Sequence, residues 1–178
     1  IHGLGLSLKK HLRQMQLSVR FFSNAKGLLS SVAVTKNNLI RKEILVAEGK
    51  RCYIGLTAAV QDFDTYSLRD YGRPARNMER GMLPPKLAQV LLNLARVSKQ
   101  DRLLDPFCGG GTILQEALLM GLTEVWGSDK DPRAVIETQE NLSWLSKHFN
   151  LPLPQLAAHD VFKLERAYEP GSFDAIVT

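Results

Sequence analysis

Three consecutive glycines, Gly109 to Gly111, constrain the fold more than any other feature of this 178-residue chain. They sit in RLLDPFCGGGTILQEA, Arg102 to Ala117. Leu103 and Leu104 read as a buried parallel strand, and Asp105 stands where that strand ends. The glycines let the backbone turn sharply and approach a ligand with no side chain in the way. From Thr112 onward the apolar period is helical, and Thr112 and Gln115 have the spacing of a capping box. Strand, acid, glycine loop and helix in that order form a nucleotide-binding crossover, which predicts an α/β fold on a parallel sheet.

The details of the loop select the ligand. A dinucleotide site uses G-x-G-x-x-G, but its third glycine position is occupied here by Leu114. A P-loop needs a lysine after the glycines, and none follows. Asp105 would repel a pyrophosphate and suits a ligand with an ammonium or hydroxyl groups. S-adenosylmethionine has a sulfonium, an α-ammonium and a ribose, and carries no phosphate.

Downstream the pattern continues. Gly121 ends the helix. Glu124 to Gly127 reads as a second strand with Asp129 at its end, about 20 residues past the glycine loop, where a carboxylate holds a ribose diol. Asp131 and Pro132 open the next helix as N-cap and first helical residue. Val135, Ile136, Leu142 and Leu145 fit one buried face of it. A third strand is expected over Leu156 to His159, leaving Asp160 to accept from an adenine amino group. Phe173 to Val177 reads as a fourth strand.

DPFCGGGT, GSDKDP and an acid after the third strand resemble the class I S-adenosylmethionine-dependent methyltransferases, in the branch that methylates exocyclic amines of nucleic-acid bases. RDYGRPARNMERGMLPPKLAQVLLNLA, Arg69 to Ala95, resembles the THUMP-containing tRNA (guanine-N2) methyltransferases that act on guanosine-10. The resemblance runs from roughly Leu28 onward and is strongest from Arg69 to Trp144. It implies the N-terminal half of a doubly wound, Rossmann-like methyltransferase sheet, preceded by part of a small α+β THUMP-like module. The implied division is residues 1–61 for that module, 62–80 for a linker and 81–178 for the methyltransferase part. S-adenosylmethionine is the implied cofactor, with contacts from Asp105, Phe107, Gly109, Gly111, Thr112, Asp129, Lys130 and Asp160. In the family an Asp/Asn-Pro-Pro-Tyr motif after the fourth strand handles the amine, and the base must leave its stack to reach it. The chain starts at Ile1 and stops at Thr178 after a strand, so both ends are expected to be cut. The motif is then expected beyond Thr178, and the chain alone is expected to be inactive.

Charge is split along the sequence. Residues 1–100 hold 17 Lys and Arg against 6 Asp and Glu, and residues 101–178 hold 6 against 12. This predicts a polyanion partner for the first part and a cationic ligand for the second; the resemblance implies that the polyanion is tRNA. Lys9, Lys10 and Arg13 lie on the polar side of an expected helix, Leu4 to Met15. Together with Arg69, Arg73 and Arg76 they are the expected RNA contacts. The alternative for Lys9, Lys10, Arg13 and Lys26 is a solvated face. The alternative for Arg69, Arg73, Arg76 and Arg80 is pairing with Asp62, Asp64, Asp70 and Glu79. The rest of the basic part reads as a strand over Val19 to Phe22, a helix over Leu28 to Leu39, and two strands, Glu43 to Ala47 and Cys52 to Val60, joined by a turn at Glu48 to Lys50.

Several residues have plainer readings. Cys108 is a small residue suited to a tight loop rather than a nucleophile. Phe107 packs under a cofactor or fills core. His2, His11, His148 and His159 lack metal-ligand spacing, so no metal is expected. Two cysteines fit a reducing cytoplasm, and no apolar run is long enough to span a membrane. Two other functions fit part of the pattern: a DNA amino-methyltransferase, which shares the glycine loop, and a non-catalytic RNA-binding fragment.

Overall fold

A computed structural model describes every residue except 1, 24–27, 78 and 80, and the side chains of His2 and Glu48 are also left aside. Lys26 and Arg80 therefore lie outside the described residues. The chain divides into two compact units, Ile1–Phe63 and Asp64–Thr178.

The first unit is built from short elements. Helix α1 (His2–Gln14) turns Leu6, Lys9, Lys10, Arg13 and Gln14 to one side, where they line a shallow hollow. The segment after it, Val19 to Phe22, is not a strand, because no described segment pairs with it. Its Phe21 ring instead covers Gly5, where any side chain would collide with the ring. Helix α2 (Ser31–Lys36) is shorter than the period suggests. Ser30 caps its start, accepting from Ala33 N–H at 3.2 Å, and Asn38 in the left-handed region ends it. Strands β1 (Ile44–Glu48) and β2 (Cys52–Leu56) form an antiparallel hairpin with Ile44 opposite Leu56 and Glu48 opposite Cys52.

The second unit carries a four-stranded, fully parallel sheet. Its strands are β3 (Leu103–Asp105), β4 (Val125–Asp129), β5 (Gln155–Ala158) and β6 (Ala175–Ile176), in the order β5-β4-β3-β6. Helices α5 (Thr112–Leu119) and α6 (Pro132–Phe149) make the first two crossovers, and Asp131 caps α6 as expected. The chain then passes a short 3-10 helix (Val161–Arg166) and returns to the far side of β3. There the Arg102 guanidinium grips Asp174 with two hydrogen bonds, 3.0 and 3.1 Å, at the start of β6. Between β3 and β6 the order reverses, and the carboxyl ends of two adjacent parallel strands open a crevice.

The stretch expected as a linker, 62–80, contains one helix, and a second follows it. Phe63–Tyr71 forms helix α3, and Pro85–Leu94 forms helix α4. Their polar side chains close over α5, whose first seven residues are all buried, Gln115 and Glu116 included. Glu116 accepts from Arg69 Nε at 2.7 Å and Gln89 Nε2 at 2.6 Å. Gln89 in turn accepts from the Tyr66 hydroxyl, and the Arg69 guanidinium lies 4.4 Å from the centre of the Tyr66 ring. The core beneath is aliphatic: Leu92, Leu103, Leu114, Leu118, Leu122, Val125 and Leu142. At 25 cal/mol per Å² of apolar area, each such side chain contributes about 1.5–3 kcal/mol.

One expectation fails at the start of α5. The helix begins at Thr112, but no capping box forms. The N-cap is Gly111, in the left-handed region at φ 79°, and the Thr112 hydroxyl is taken by Arg73 at 2.7 Å. Gln115 reaches back to the Gly110 carbonyl at 3.3 Å instead. At its other end α5 closes as predicted, with Gly121 N–H on Leu118 O and Leu122 N–H on Ala117 O.

Candidate functional site

The glycine loop is held from behind. Thr138 on α6 donates its hydroxyl to the Gly109 carbonyl at 2.6 Å, and Asn141 donates to the Gly110 carbonyl at 2.9 Å. Asn141 also pairs with both backbone groups of Ala75, at 2.9 and 3.0 Å, which ties the segment after α3 to the loop. A side chain at Gly111 would meet Thr138 Cγ2 at 2.8 Å, so this position is closed both by its φ and by its neighbour. The third glycine missing from the loop is replaced in space rather than in sequence. Leu114 packs down onto Gly127 of β4, where a Cβ would overlap its Cδ1 and lie 2.9 Å from Leu156 Cδ2.

Two carboxylates flank the loop at the ends of adjacent strands. Asp129 accepts from Gly109 N–H at 3.1 Å and Asp131 N–H at 3.0 Å. Asp105 is 2% exposed and accepts from Phe107 N–H at 3.1 Å. Burial pushes the Asp105 carboxyl up to about 7, Asp129 adds to the rise, and hydrogen bonds from Phe107 and Thr178 oppose it. Burial likewise pushes the Cys108 thiol up to about 12, so it is inert at neutral pH and serves as loop packing.

Both carboxylates line a cleft of about 600 Å³. Of the eight expected cofactor contacts, Asp105, Phe107, Gly109, Thr112 and Asp129 line it. Gly111 is buried just behind, shaping the loop. Lys130 is exposed and outside the cleft lining. Asp160 also lies outside that lining, and its carboxylate accepts from Phe162 N–H at 3.1 Å as cap of the 3-10 helix. The rest of the lining lies outside the expected cofactor contacts and includes Arg73, Ala75, Asn77, Met82, Leu83 and Pro84, with Glu137 from α6 and Thr178 after β6. Its signal is present in RDYGRP and GMLPP, in and just after the stretch whose polar composition suggests a linker.

The arginines separate by burial. Arg69 is 6% exposed and Arg73 is 3% exposed, so both are buried. Arg69 is consumed by Glu116, and Arg73 faces the cleft wall. Arg76 stays exposed, 5.3 Å from the centre of the Tyr71 ring. Lys10 and Arg13 are exposed on α1, and Lys9 is half-buried beside them. Among the described residues no cluster of His, Cys, Asp or Glu could hold a metal, and no helix is long and apolar enough to cross a membrane.

Comparison with known proteins gives a consistent set. Residues 73–178 match the family described as UPF0020: RMKL-like, methyltransferase domain. The tRNA (guanine(10)-N2)-dimethyltransferase of Methanocaldococcus jannaschii is 34% identical over 133 residues, 70% of this chain and 36% of that protein. A probable tRNA (guanine(10)-N2)-dimethyltransferase of Methanothermococcus thermolithotrophicus is 50% identical over 95 residues, 52% of this chain and 57% of that protein. TrmN from Thermus thermophilus aligns with a TM-score of 0.48 at 25% identity, covering 75% of this chain and 37% of that one. The chain spans 36% and 37% of the length of the Methanocaldococcus jannaschii and Pyrococcus abyssi relatives.

Proposed function

Because the chain belongs to the UPF0020 family of RMKL-like methyltransferase domains, we propose that it carries the S-adenosylmethionine site of an enzyme that methylates the exocyclic N2 amine of a guanosine in tRNA. The observation that carries this reading is the pair Asp105 and Asp129, at the ends of adjacent parallel strands on either side of a glycine loop. A carboxylate has about four acceptor sites. Backbone N–H groups use two of those on Asp129, which leaves room for both hydroxyls of a ribose. Asp105 sits in a place that favours its protonated form, and a cationic ligand beside it would favour the carboxylate. S-adenosylmethionine supplies that cation.

The acceptor follows from the relatives. Their names specify guanine N2, an amine whose lone pair is delocalised into the ring. Such a group is methylated mainly by positioning and by a matched electrostatic environment. The base must also leave its stack to enter a cleft of this kind. The first unit acts in this reading as part of a THUMP-like RNA-binding module. Lys9, Lys10 and Arg13 on its helix α1, and the exposed Arg76 of the second unit, are the candidate phosphate contacts, and the site of action is the cytoplasm.

Calorimetric titration of the chain with S-adenosylmethionine and S-adenosylhomocysteine tests the cofactor, and binding of both is expected. Tritiated-methyl transfer by the enzyme that contains this chain tests the acceptor. Label is expected in tRNA and not in duplex DNA. Label in duplex DNA alone would replace this reading with a DNA amino-methyltransferase.

A further inference from the structure

Arg73 is buried at the cleft in a way that the function above leaves unused. It is 3% exposed, it lines the cleft, and its Nη1 donates to Thr112 at 2.7 Å. Its Nε and Nη2 have no hydrogen-bond partner among the described residues. A buried guanidinium with two unpartnered nitrogens is costly, because each donor loses water and gains nothing. The nearest carboxylate on α5, Glu116, is already occupied by Arg69 and Gln89. Burial holds the Arg73 pKa below its ordinary value, although the field of Asp70 works against the shift. The guanidinium stands against the glycine loop, with Nη1 3.9 Å from where a Cβ on Gly110 would lie. Two adjacent N–H edges in a fixed plane match the two oxygens of a carboxylate.

We propose that Arg73 is the binding residue for the α-carboxylate of the cofactor's amino-acid end. This rests on the S-adenosylmethionine reading of the cleft and adds its anion subsite. The two charged groups then divide the zwitterion between them: Asp105 takes the ammonium, and Arg73, held against the glycine loop, takes the carboxylate. Thr112 fixes the guanidinium so that its remaining edge is preorganised.

The test compares S-adenosylhomocysteine with its decarboxylated analogue, by calorimetry, in the unmodified chain and in Arg73→Met. The unmodified chain is expected to bind the decarboxylated analogue about tenfold or more weakly, and Arg73→Met is expected to lose that discrimination. 5′-Methylthioadenosine, which lacks the amino-acid end, should bind both proteins equally. An Arg73→Met protein that still discriminates, or that loses 5′-methylthioadenosine to the same degree, overturns the assignment. If Arg73→Met does not fold, Arg73→Lys takes its place. A discrimination ratio reduced about threefold or more supports the proposal, since an ammonium cannot reproduce the two-point contact, and an unchanged ratio overturns it. If Arg73→Met keeps cofactor binding and flattens the salt dependence of tRNA affinity, the guanidinium serves a nucleic-acid phosphate instead. An unmodified chain that binds neither nucleoside would sink the cofactor reading itself, and this inference with it.

Discussion

At the scale of the residue, the two carboxylates of the cleft differ in environment and should differ in behaviour. The folded-state pKa of Asp105, about 7, stands above its ordinary 3.8. The fold therefore binds this proton more tightly than the unfolded chain does. Stability from this group is full below about pH 4 and is lost as pH rises through 7. Asp105→Asn keeps an acceptor for Phe107 N–H and removes the buried charge. It should raise unfolding stability at pH 8 by about 2–4 kcal/mol and flatten the pH dependence between pH 5 and 8. Urea denaturation at both pH values measures this, and equal stability of the two proteins at pH 8 would show that Asp105 is not held protonated. Asp129 accepts from two backbone N–H groups, those of Gly109 and Asp131. Asp129→Ala should weaken S-adenosylmethionine binding by about 1.5–3 kcal/mol, the loss of a charge-assisted pair of hydrogen bonds. Calorimetry on the folded variant would detect it, and an unchanged affinity would remove Asp129 from the site.

At the scale of the element, α3 is held by a polar lock rather than by apolar area. Only Arg69 of its nine residues is buried. That side chain reaches Glu116 in the middle of α5, where Gln89 from α4 also ends. Breaking a buried pair by removing one partner leaves the other charge stranded. Arg69→Met should therefore cost about 3–5 kcal/mol of stability, and adding Glu116→Gln should restore part of it. Denaturant unfolding of the single and double variants tests the coupling, and additive losses would refute the lock. The helical period of residues 63–71 is weak, and charged residues are common in linkers. Nothing local marks Asp62 to Tyr71 as a helix, and only Glu116, 47 positions away, gives Arg69 its place. The missing third glycine of the loop is a second case of this kind. Its space is made by Gly127 on the next strand, which allows Leu114 to descend.

At the scale of the whole molecule, the charge asymmetry survives but its boundary moves. The unit Ile1–Phe63 holds 10 Lys and Arg against 3 Asp and Glu, and the unit Asp64–Thr178 holds 13 against 15. Two of the second unit's cations, Arg69 and Arg73, are buried and leave the surface charge altogether. If Lys9, Lys10 and Arg13 meet phosphates, tRNA affinity should fall steeply with salt. Neutralising all three should then reduce the slope of log K against log salt by roughly 0.7–0.9 for each phosphate that the chain no longer neutralises. Fluorescence anisotropy over a salt series reads this slope, and an unaltered slope would leave α1 with a solvated basic face.

The sequence by itself determined the parallel crossover, the glycine loop, the capped start of α6 and the two acids at the strand ends. Each of these is a local pattern, in which the residue type and its neighbours within one turn or one strand carry the physical cause. Only the tertiary structure decided which polar residues are spent inside the molecule. Thr112 and Gln115 have capping-box spacing, yet Arg73 takes one and the Gly110 carbonyl takes the other. Four arginines in one polar stretch look alike in sequence, yet one closes a lock, one lines the cleft and one lies exposed over Tyr71, while the fourth, Arg80, is outside the described residues. Burial of a charge depends on partners distant in sequence, and periodicity carries no information about them.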